Sequence, residues 1–276
     1  MVKNILSTLV MFMLLVIDVG NTNVVFAVFD ADKIAGQWRI STDAKRTSDE
    51  YGVWLTQVLE HSQISPGSIT GAVVSSVVPQ TLFDLRQLTK RYFNTELMVI
   101  GDPRLNLKTG VRVKIDNPAE VGADRLVNSF AAWSLYKKPL IVVDFGTATT
   151  FDVVSAQGDY IGGVIAPGIN LSLDALHRAA AKLPNIAISP PYKVIGTNTI
   201  GAMQSGIYYG YAGLVEGIAA RIKAEYKAEM LVIATGGLAS LYAKACPVIE
   251  HVDGDLTIHG LKQLYEMNKN VMSHES

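Results

Sequence analysis

The amino-acid sequence contains two similar segments, 126 residues apart, and this repeat limits the folds that the chain can adopt. Each segment has three apolar runs, separated first by a glycine turn and then by a polar loop. The runs lie at 14–17, 24–29 and 34–40 in the first segment and at 140–143, 150–154 and 160–165 in the second. Only five of the 22 positions from 15 to 36 are identical, but motif, loop and strand order all match. The sequence therefore predicts an internal duplication.

Each segment continues with alternating helix and strand signals. In the first half, helices are predicted at 49–60 and 81–93, and strands at 71–78 and 97–100. In the second half, helices are predicted at 170–182, at 199–227 as one long helix or a broken pair, and at 257–270, with a strand at 230–235. This order indicates two similar mixed α/β domains. We expect them at 1–117 and 118–276.

The N-terminal residues form an apolar run at 5–17 after a single lysine. The run is shorter than the roughly 18 to 20 residues that span a bilayer, and no small-residue cleavage site follows it. Instead, the run leads directly into the first repeated segment. We therefore expect residues 1–12 to be an N-terminal extension ahead of a natural start near Met13.

The charge and cysteine content exclude several classes of protein. Charged residues make up 18% of the chain and hydrophobic residues 49%, which excludes a disordered polypeptide. A net charge of −1 provides no electrostatic footprint for nucleic acid or for an anionic membrane. The single cysteine, Cys246, excludes a disulfide framework and fits a reducing compartment. These features predict a compact cytoplasmic protein without nucleic-acid or membrane partners.

Each copy of the repeat contains an aspartate at the end of a buried strand, followed by a glycine turn. The motif is DVGNTN at 18–23 in the first copy and DFGTATT at 144–150 in the second. Glycine lets backbone N–H groups cradle a phosphate, and the carboxylate can hold a hydrated magnesium ion. A single motif of this kind also fits a plain hairpin. Two copies at duplicate positions favour a pair of turns that grip a polyphosphate from both sides.

Two further elements carry candidate chemistry. The pair Gly236-Gly237 follows an apolar strand, which suits either a nucleoside ring lying against bare backbone or a tight strand-to-helix turn. Asp124 and Arg125 open an amphipathic helix, where Asp124 could serve as a cap or a dipole partner. A cation at that end opposes the helix dipole, so we expect Arg125 to serve a carboxylate or phosphate. The pair predicts a base beside an anion clamp.

Taken together, these elements resemble the type III pantothenate kinases, a family of the acetate kinase, sugar kinase, Hsp70 and actin superfamily. The resemblance covers residues 13 to about 270 and rests on the motifs DVGNTN, GADR, DFGTATTFD, GGVIAPG, GTNT and ATGG. It implies an α/β fold of two duplicated actin-like (ribonuclease H-like) domains. Each domain would have a mixed sheet with an N-terminal β-hairpin and flanking helices.

The resemblance also implies an activity, the phosphorylation of pantothenate by ATP to 4′-phosphopantothenate, which is the first step of coenzyme A biosynthesis. Asp124 would be the general base, Asp18 the route to Mg²⁺, and Asp144 the ligand of a monovalent cation, K⁺ or NH₄⁺. The implied pantothenate contacts are Gly122, Ala123, Asp124, Arg125 and Thr199. The implied ATP contacts are Asp18, Val19, Gly20, Asn21, Thr22, Asn23, Val24, Val25 and Thr147.

The family's members form homodimers, and the glycines of the predicted helix at 199–227 offer independent support. Five glycines in this helix each cost about 1 kcal/mol relative to alanine. Close approach of another helix, within or between subunits, would compensate for this cost, whereas a bent helix is the alternative. The sequence therefore favours a homodimer.

One position in the implied pantothenate pocket departs from the family pattern. Family members often carry an aromatic residue seven positions before the GADR glycine, and this chain has Ile115 there. A kinase for another small alcohol therefore stays open. A catalytically inactive nucleotide-binding regulatory protein on the same fold also stays open, because the superfamily includes non-enzymatic members. Retention of Asp124, Arg125 and both turn aspartates argues against the inactive protein.

Overall fold

The computed structural model describes residues 12–105, 107–180 and 183–272. The expected extension at 1–12 lies outside these residues, except for Phe12. Within them, the strands are β1 (Met13–Val19), β2 (Asn23–Asp30), β3 (Lys33–Ser41), β4 (Ile69–Ser76), β5 (Leu97–Val99), β6 (Leu140–Phe145), β7 (Ala148–Val154), β8 (Tyr160–Pro167), β9 (Leu231–Gly236) and β10 (His251–Val252). The helices are α1 (Ser48–His61), α2 (Leu82–Phe93), α3 (Ala123–Tyr136), α4 (Ile169–Ala179), α5 (Thr199–Tyr226), α6 (Ala239–Tyr242) and α7 (Leu256–Met272).

The predicted helices and strands are confirmed, with described ends that differ by at most three residues. The stretch at 199–227 forms one continuous helix, α5. The sequence did not predict β10, because a strand of two exposed residues has no hydrophobic pattern. The ends of α1 follow the sequence signal closely because Thr47 and Glu50 form a capping box.

The strands form two five-stranded sheets with the same topology. The first has the order β3-β2-β1-β4-β5, and the second, read in the matching direction, has the order β8-β7-β6-β9-β10. In each sheet the first three strands are antiparallel and the last two run parallel to the first strand. The predicted duplication and the mixed sheets with an N-terminal hairpin are therefore confirmed.

The pairing register corrects one detail of the repeat, which aligns without a gap in the sequence. Val19 pairs with Val24 across the first turn, whereas Phe145 pairs with Thr149 across the second, so the second turn is one residue shorter. Between the equivalent pairs Val28–Gly36 and Val153–Gly162, the chain is one residue longer in the second copy than in the first. The two differences cancel, which is why the sequence shows a constant offset of 126 although β7 is shifted by one residue.

A bulge at corresponding places supports this shifted alignment. The β2–β3 register shifts between Val28 and Phe29, where Ala35 is the extra residue in β3, and the β7–β8 register shifts between Val153 and Val154, where Ile161 is the extra residue in β8. Bulges are kept within families because they re-aim the strand that follows. The two copies therefore share their irregularities as well as their strand order.

Each sheet has its own core. Apolar side chains of β1, β2 and β4 pack against α1 and α2, with Tyr51, Leu55 and Leu85 fully buried. In the second sheet, β6, β7 and β9 pack against α5 and α6, and residues of α3 cover the opposite face. The central strands are buried on both faces, which explains their nearly continuous apolar sequence.

The chain divides into two compact units, residues 1–109 with 261–276 and residues 110–260. The division therefore differs from the expected boundary near Pro118. Residues 110–117 join the second unit because Lys114 N–H donates to the Tyr160 carbonyl (2.8 Å) and Tyr160 N–H donates to the Arg112 carbonyl (2.9 Å). The end of α7 joins the first unit, where the buried Asn268 accepts the Lys108 N–H (2.8 Å) and donates to the Lys108 carbonyl (2.9 Å).

Candidate active site

The first glycine turn follows Asp18, which lies half-buried near the end of β1. One carboxylate oxygen of Asp18 accepts a hydrogen bond of 2.6 Å from the Ser75 hydroxyl on the adjacent strand β4. The turn itself is closed by a bond from Gly20 N–H to the Asn23 carbonyl, 3.0 Å long. The strand and its neighbour therefore hold the carboxylate beside a compact turn.

The second glycine turn has the same construction in the second unit. Asp144 is half-buried in β6, and Gly146 N–H donates to the Ala148 carbonyl at 3.1 Å. Thr147, at the tip of the turn, is exposed. The Asp144 carboxylate accepts a bond of 3.3 Å from the Asn128 side-chain amide. Each copy therefore presents one carboxylate at the base of a glycine turn.

Helix α3 links the second turn to the GADR motif. Asn128 is 1% exposed, and while its amide donates to Asp144 its carbonyl oxygen accepts a bond of 2.7 Å from the Thr257 hydroxyl. Asn128 lies one turn of α3 after Asp124, so the two side chains project from the same side of the helix. The helix that carries the candidate base is thereby attached to the candidate cation ligand.

Asp124 lies in the first turn of α3, and Gly122 occupies the N-cap position without a side-chain cap. Asp124 is therefore not the cap, although its carboxylate accepts the Arg125 N–H at 2.8 Å. Burial raises the pKa of the Asp124 carboxyl above its ordinary value, while the Arg125 N–H acts in the opposite direction. A carboxylate with a raised pKa is a stronger base than an exposed aspartate.

Arg125 forms an ion pair with a buried carboxylate that follows the second turn. Its Nε donates to Asp152 at 2.6 Å, and Asp152 is fully buried. Burial raises the pKa of Asp152 to about 7, against the opposing effect of Arg125. The guanidinium carbon lies 5.7 Å from the centre of the Tyr160 ring. Arg125 therefore pairs with a carboxylate of the protein itself, and its role as a clamp for a ligand anion stays a prediction.

The segment that contains Ile115 runs beside the same cluster. Val113 forms a parallel bridge with Tyr160, the residue whose ring contacts Arg125. Ile115 is half-buried two residues further on. Sequence patterns gave no sign of this pairing, because it joins residues that are far apart in the chain.

Two glycines frame the second turn. Gly236 has a φ of +90°, and a Cβ there would lie 2.5 Å from a carboxylate oxygen of Asp144. At Gly168, which precedes α4, a Cβ would overlap the carbonyl oxygens of Thr147 and Gly146. Both positions therefore require glycine so that backbone can lie directly against the turn. Gly237 is open, since no described atom lies within 4 Å of a Cβ placed there.

Thr199 lies apart from these groups, at the first position of α5. It lines a mostly apolar cavity of about 610 Å³ with Leu176, Leu183, Ala202, Met203, Gly206 and Ile207. The residues that line this cavity include none of the GADR motif and none of the second turn. The structure thus brings Asp124, Arg125 and Asp144 together through α3 and its contacts, but it places Thr199 on a different helix.

The sequence did not identify Asn128 or Asp152 as candidates, although a local pattern marks each of them. Asn128 is four residues after Asp124 and therefore on the same helix face. Asp152 is a lone charged residue in the apolar run 150–154, where an unpaired carboxylate would be costly. Both signals indicate a polar partner, but the partner itself is defined only by the fold.

Two features are absent from the described part of the chain. It holds no cluster of three or more His, Cys, Asp or Glu side chains that could bind a metal ion. None of its helices combines the length and the apolar character needed to cross a bilayer.

Known proteins share this chain's sequence family and its fold. The sequence profile described as type III pantothenate kinase matches residues 14–221, which is well over half of the chain. The type III pantothenate kinase of Paramagnetospirillum magneticum is 57% identical over 256 residues, which cover 93% of this chain and 98% of that protein. The type III pantothenate kinase of Acidiphilium cryptum is 58% identical over 252 residues, which cover 91% of this chain and 94% of that protein.

Among solved structures, MreB 5 of Spiroplasma citri bound to AMPPNP has a TM-score of 0.54 at 10% identity. The similarity covers 96% of this chain and 99% of that one. At such low identity this similarity shows the fold alone, and it confirms the predicted actin-like architecture. Sequence similarity across most of the chain decides the family. The chain belongs to the type III pantothenate kinase family.

Proposed function

We propose that this kinase transfers the γ-phosphoryl group of ATP to the primary hydroxyl of pantothenate, with Asp124 as the general base. The product is 4′-phosphopantothenate, formed in the first step of coenzyme A biosynthesis. The observation that carries the proposal is the half-buried Asp124 carboxylate in the first turn of α3, whose pKa is raised by burial. The base accepts the hydroxyl proton as the oxygen attacks, and positioning contributes most of the rate in phosphoryl transfer.

Arg125 binds the carboxylate of pantothenate in this proposal. A guanidinium has five donors, and Asp152 takes only the one at Nε. The Nη2 nitrogen is buried and has no hydrogen-bond partner among the described residues. Donors therefore remain for an anion, while the pair with Asp152 fixes the plane of the guanidinium. Gly122 and Ala123 contribute the backbone at the helix N-terminus, and Thr199 is a further substrate contact.

Residues 18–25 bind the phosphates of ATP, and Thr147 makes a further phosphate contact. Mg²⁺ usually keeps several waters and binds through one or two carboxylates together with substrate phosphates. A single half-buried carboxylate beside a glycine turn fits this requirement, so Asp18 would hold Mg²⁺ and Asp144 would hold K⁺ or NH₄⁺. The cations would offset phosphate charge.

The active form is a homodimer in the cytoplasm. On helix α5, a Cβ added at Gly206, Gly210 or Gly213 would meet no described atom within 4 Å. Tyr209, on the same face, is 39% exposed. An open face of small residues beside an aromatic ring suits the close approach of a helix from a second copy. The single cysteine, Cys246, is buried and free, which fits a reducing compartment.

A coupled assay of ADP release tests this function. We expect ADP release that depends on pantothenate and increases with K⁺ or NH₄⁺. Pantothenol, in which a hydroxyl replaces the carboxylate, should be a poorer substrate with a higher KM, because Arg125 loses its anionic partner. Absence of pantothenate-dependent ADP release with either cation would contradict the proposal. Equal KM values for pantothenate and pantothenol would show that Arg125 does not bind the pantothenate carboxylate. That result would favour a kinase for another small alcohol.

A further inference from the structure

The carbonyl groups of the first glycine turn are held by one residue that follows β3. The Thr42 hydroxyl donates to the Gly20 carbonyl at 2.6 Å, and the Thr42 N–H donates to the Thr22 carbonyl at 2.9 Å. The N–H bond extends the pairing of β2 with β3 by one residue. The bond from the Thr42 hydroxyl is not part of this strand pairing, because its acceptor, the Gly20 carbonyl, lies in the turn between β1 and β2.

These two bonds also fix the direction of the N–H groups in the turn. A trans peptide unit is planar, and its C=O and N–H point in opposite directions. When the Gly20 carbonyl is held toward Thr42, the N–H of Asn21 must point away from Thr42. The same relation joins the Thr22 carbonyl to the N–H of Asn23. Thr42 thus sets the direction of two N–H groups in this turn, and backbone N–H groups that converge on one point can cradle an anion.

The second copy of the repeat has glycine at the equivalent place. Thr42 directly follows β3, and Gly168 directly follows β8, at the offset of 126 residues. Gly168 lies with its Cα against the carbonyls of the second turn, where a side chain would overlap them. The same position thus touches both turns, through a hydroxyl in the first copy and through bare backbone in the second.

The residue before this position is anchored in both copies as well. Arg46 Nη1 donates to the Ser41 carbonyl at 2.7 Å, and the Tyr211 hydroxyl donates to the Pro167 carbonyl at 2.9 Å. Ser41 and Pro167 are again 126 residues apart. Each copy therefore fixes the chain just before the contact with its turn. A contact that is supported in the same way in two diverged copies indicates a shared requirement for a rigid turn.

We propose that Thr42 is a positioning residue for ATP binding, which holds the carbonyls of the first turn so that its N–H groups face the phosphates. The inference rests on the proposed role of residues 18–25 in phosphate binding. Without the hydroxyl bond, the Gly20 peptide can rotate and direct its carbonyl oxygen toward the phosphates. The oxygen would then repel the nucleotide that the N–H group attracts.

The test compares Thr42→Val, which removes only the hydroxyl bond and retains the N–H bond, with Thr42→Ser, which retains both. Losing one neutral hydrogen bond should raise the KM for MgATP about three- to tenfold, with the KM for pantothenate unchanged. The same loss should appear in the Kd for MgATP, measured by titration calorimetry without pantothenate. Thr42→Ser should restore both values.

Thr95→Val is the matched control. Thr95 also donates its hydroxyl to a distant carbonyl, that of Thr70 at 3.3 Å, but Thr70 lies near the start of β4, at the opposite end of the parallel strands from Asp18. This variant should leave both KM values unchanged, and thermal unfolding of each variant should separate binding effects from loss of fold. If Thr42→Val lowers the melting temperature, MgATP binding is compared between Thr42→Ala and Thr42→Ser instead, at a temperature where both variants are equally folded.

A parallel measurement on Asp18→Asn separates the inference from the function on which it rests. If Asp18→Asn weakens MgATP binding while Thr42→Val binds MgATP like the wild type, the role of Thr42 is overturned and the phosphate site stands. If neither variant changes MgATP binding, residues 18–25 do not form the phosphate site, and both proposals fail. A loss in Thr42→Val that Thr42→Ser does not restore would also overturn the inference.

Discussion

The two copies of the repeat share a scaffold but differ in what is attached to it. Both sheets place an aspartate before a glycine turn, and both carry the same bulge. The first turn is one residue longer, and Thr42 holds its carbonyls with hydrogen bonds. The second turn is packed between Gly168 and Gly236. Duplication has therefore preserved the strands, while the loops that touch each turn have diverged.

The second copy also carries the substrate motif. Asp152 pairs with Val142 in β6, and the equivalent pair in the first sheet is Ala27 with Val16. A methyl group in the first copy thus occupies the place of the carboxylate that binds Arg125 in the second. Helix α3 packs on the second sheet and presents Asp124 there. In the proposed function, both copies therefore supply a nucleotide turn, whereas only the second supplies the groups for proton transfer.

The largest effect should come from Asp124→Asn, which removes the proposed base from the second copy. We expect kcat to fall by about two to four orders of magnitude, the usual range for loss of general-base catalysis. Binding of MgATP, measured by calorimetry, should change little. Near-normal turnover by a folded Asp124→Asn protein would contradict the assignment of the chemistry to the second copy.

The next effect should come from Asp152→Asn, which removes the charge that orients Arg125. Because charge-assisted hydrogen bonds contribute about 1.5–3 kcal/mol, the KM for pantothenate should rise about tenfold or more. The KM for MgATP should stay close to the wild-type value in the same steady-state assay.

Asp102→Asn is the matched control for Asp152→Asn. Asp102 is also a buried carboxylate paired with arginine, at 2.8 Å from Arg86 and 2.6 Å from Arg104, but it lies in the first unit. This variant should lower thermal stability without raising the KM for pantothenate. A similar rise in that KM for both variants would mean that Asp152 acts only through stability.

A smaller effect is expected from Gly168→Ala, which tests the bare-backbone contact of the second turn. The added Cβ would overlap the Thr147 carbonyl, so the turn must shift. Overpacking typically costs about 1–3 kcal/mol, and we expect the KM for MgATP to rise about tenfold. Gly254→Ala is the control, because its Cβ would meet no described atom within 4 Å. Unchanged MgATP kinetics in Gly168→Ala would show that the second turn does not contribute to nucleotide binding.

The raised pKa of Asp124 predicts a pH dependence with a defined sign. The acidic limb of kcat/KM should lie above the range of an ordinary aspartate, and it should disappear in Asp124→Asn. Because the folded protein binds this proton more tightly than the unfolded chain, stability from protonated Asp124 is lost as pH rises through the folded pKa. At neutral pH, Asp124→Asn should therefore melt no lower than the wild type in a thermal scan. A lower melting temperature would indicate that Asp124 also stabilises the fold.

Much of the fold could be predicted from the sequence, because the repeat and its apolar runs fix strand order and helix positions. The GADR motif and both turns were also visible as local patterns. Contacts between residues far apart in the chain were not visible, because their spacing carries no periodic signal. These contacts are Arg125 with Asp152, Asn128 with Asp144, and Thr42 with Gly20. The pairing of 112–114 with Tyr160 was not visible in the sequence for the same reason. Local pattern identifies the candidate groups, and the fold determines their partners.

The most direct test of this division between the copies is one steady-state matrix of MgATP against pantothenate for Thr42→Val, Asp152→Asn and the double variant. The account predicts that Thr42→Val raises only the KM for MgATP and that Asp152→Asn raises only the KM for pantothenate. The double variant should show both changes at their single-variant size, because the two sites act independently. If either variant changed the KM of the other substrate as strongly as that of its own, the assignment of MgATP binding to the first turn and of pantothenate binding to the Arg125–Asp152 pair would be contradicted.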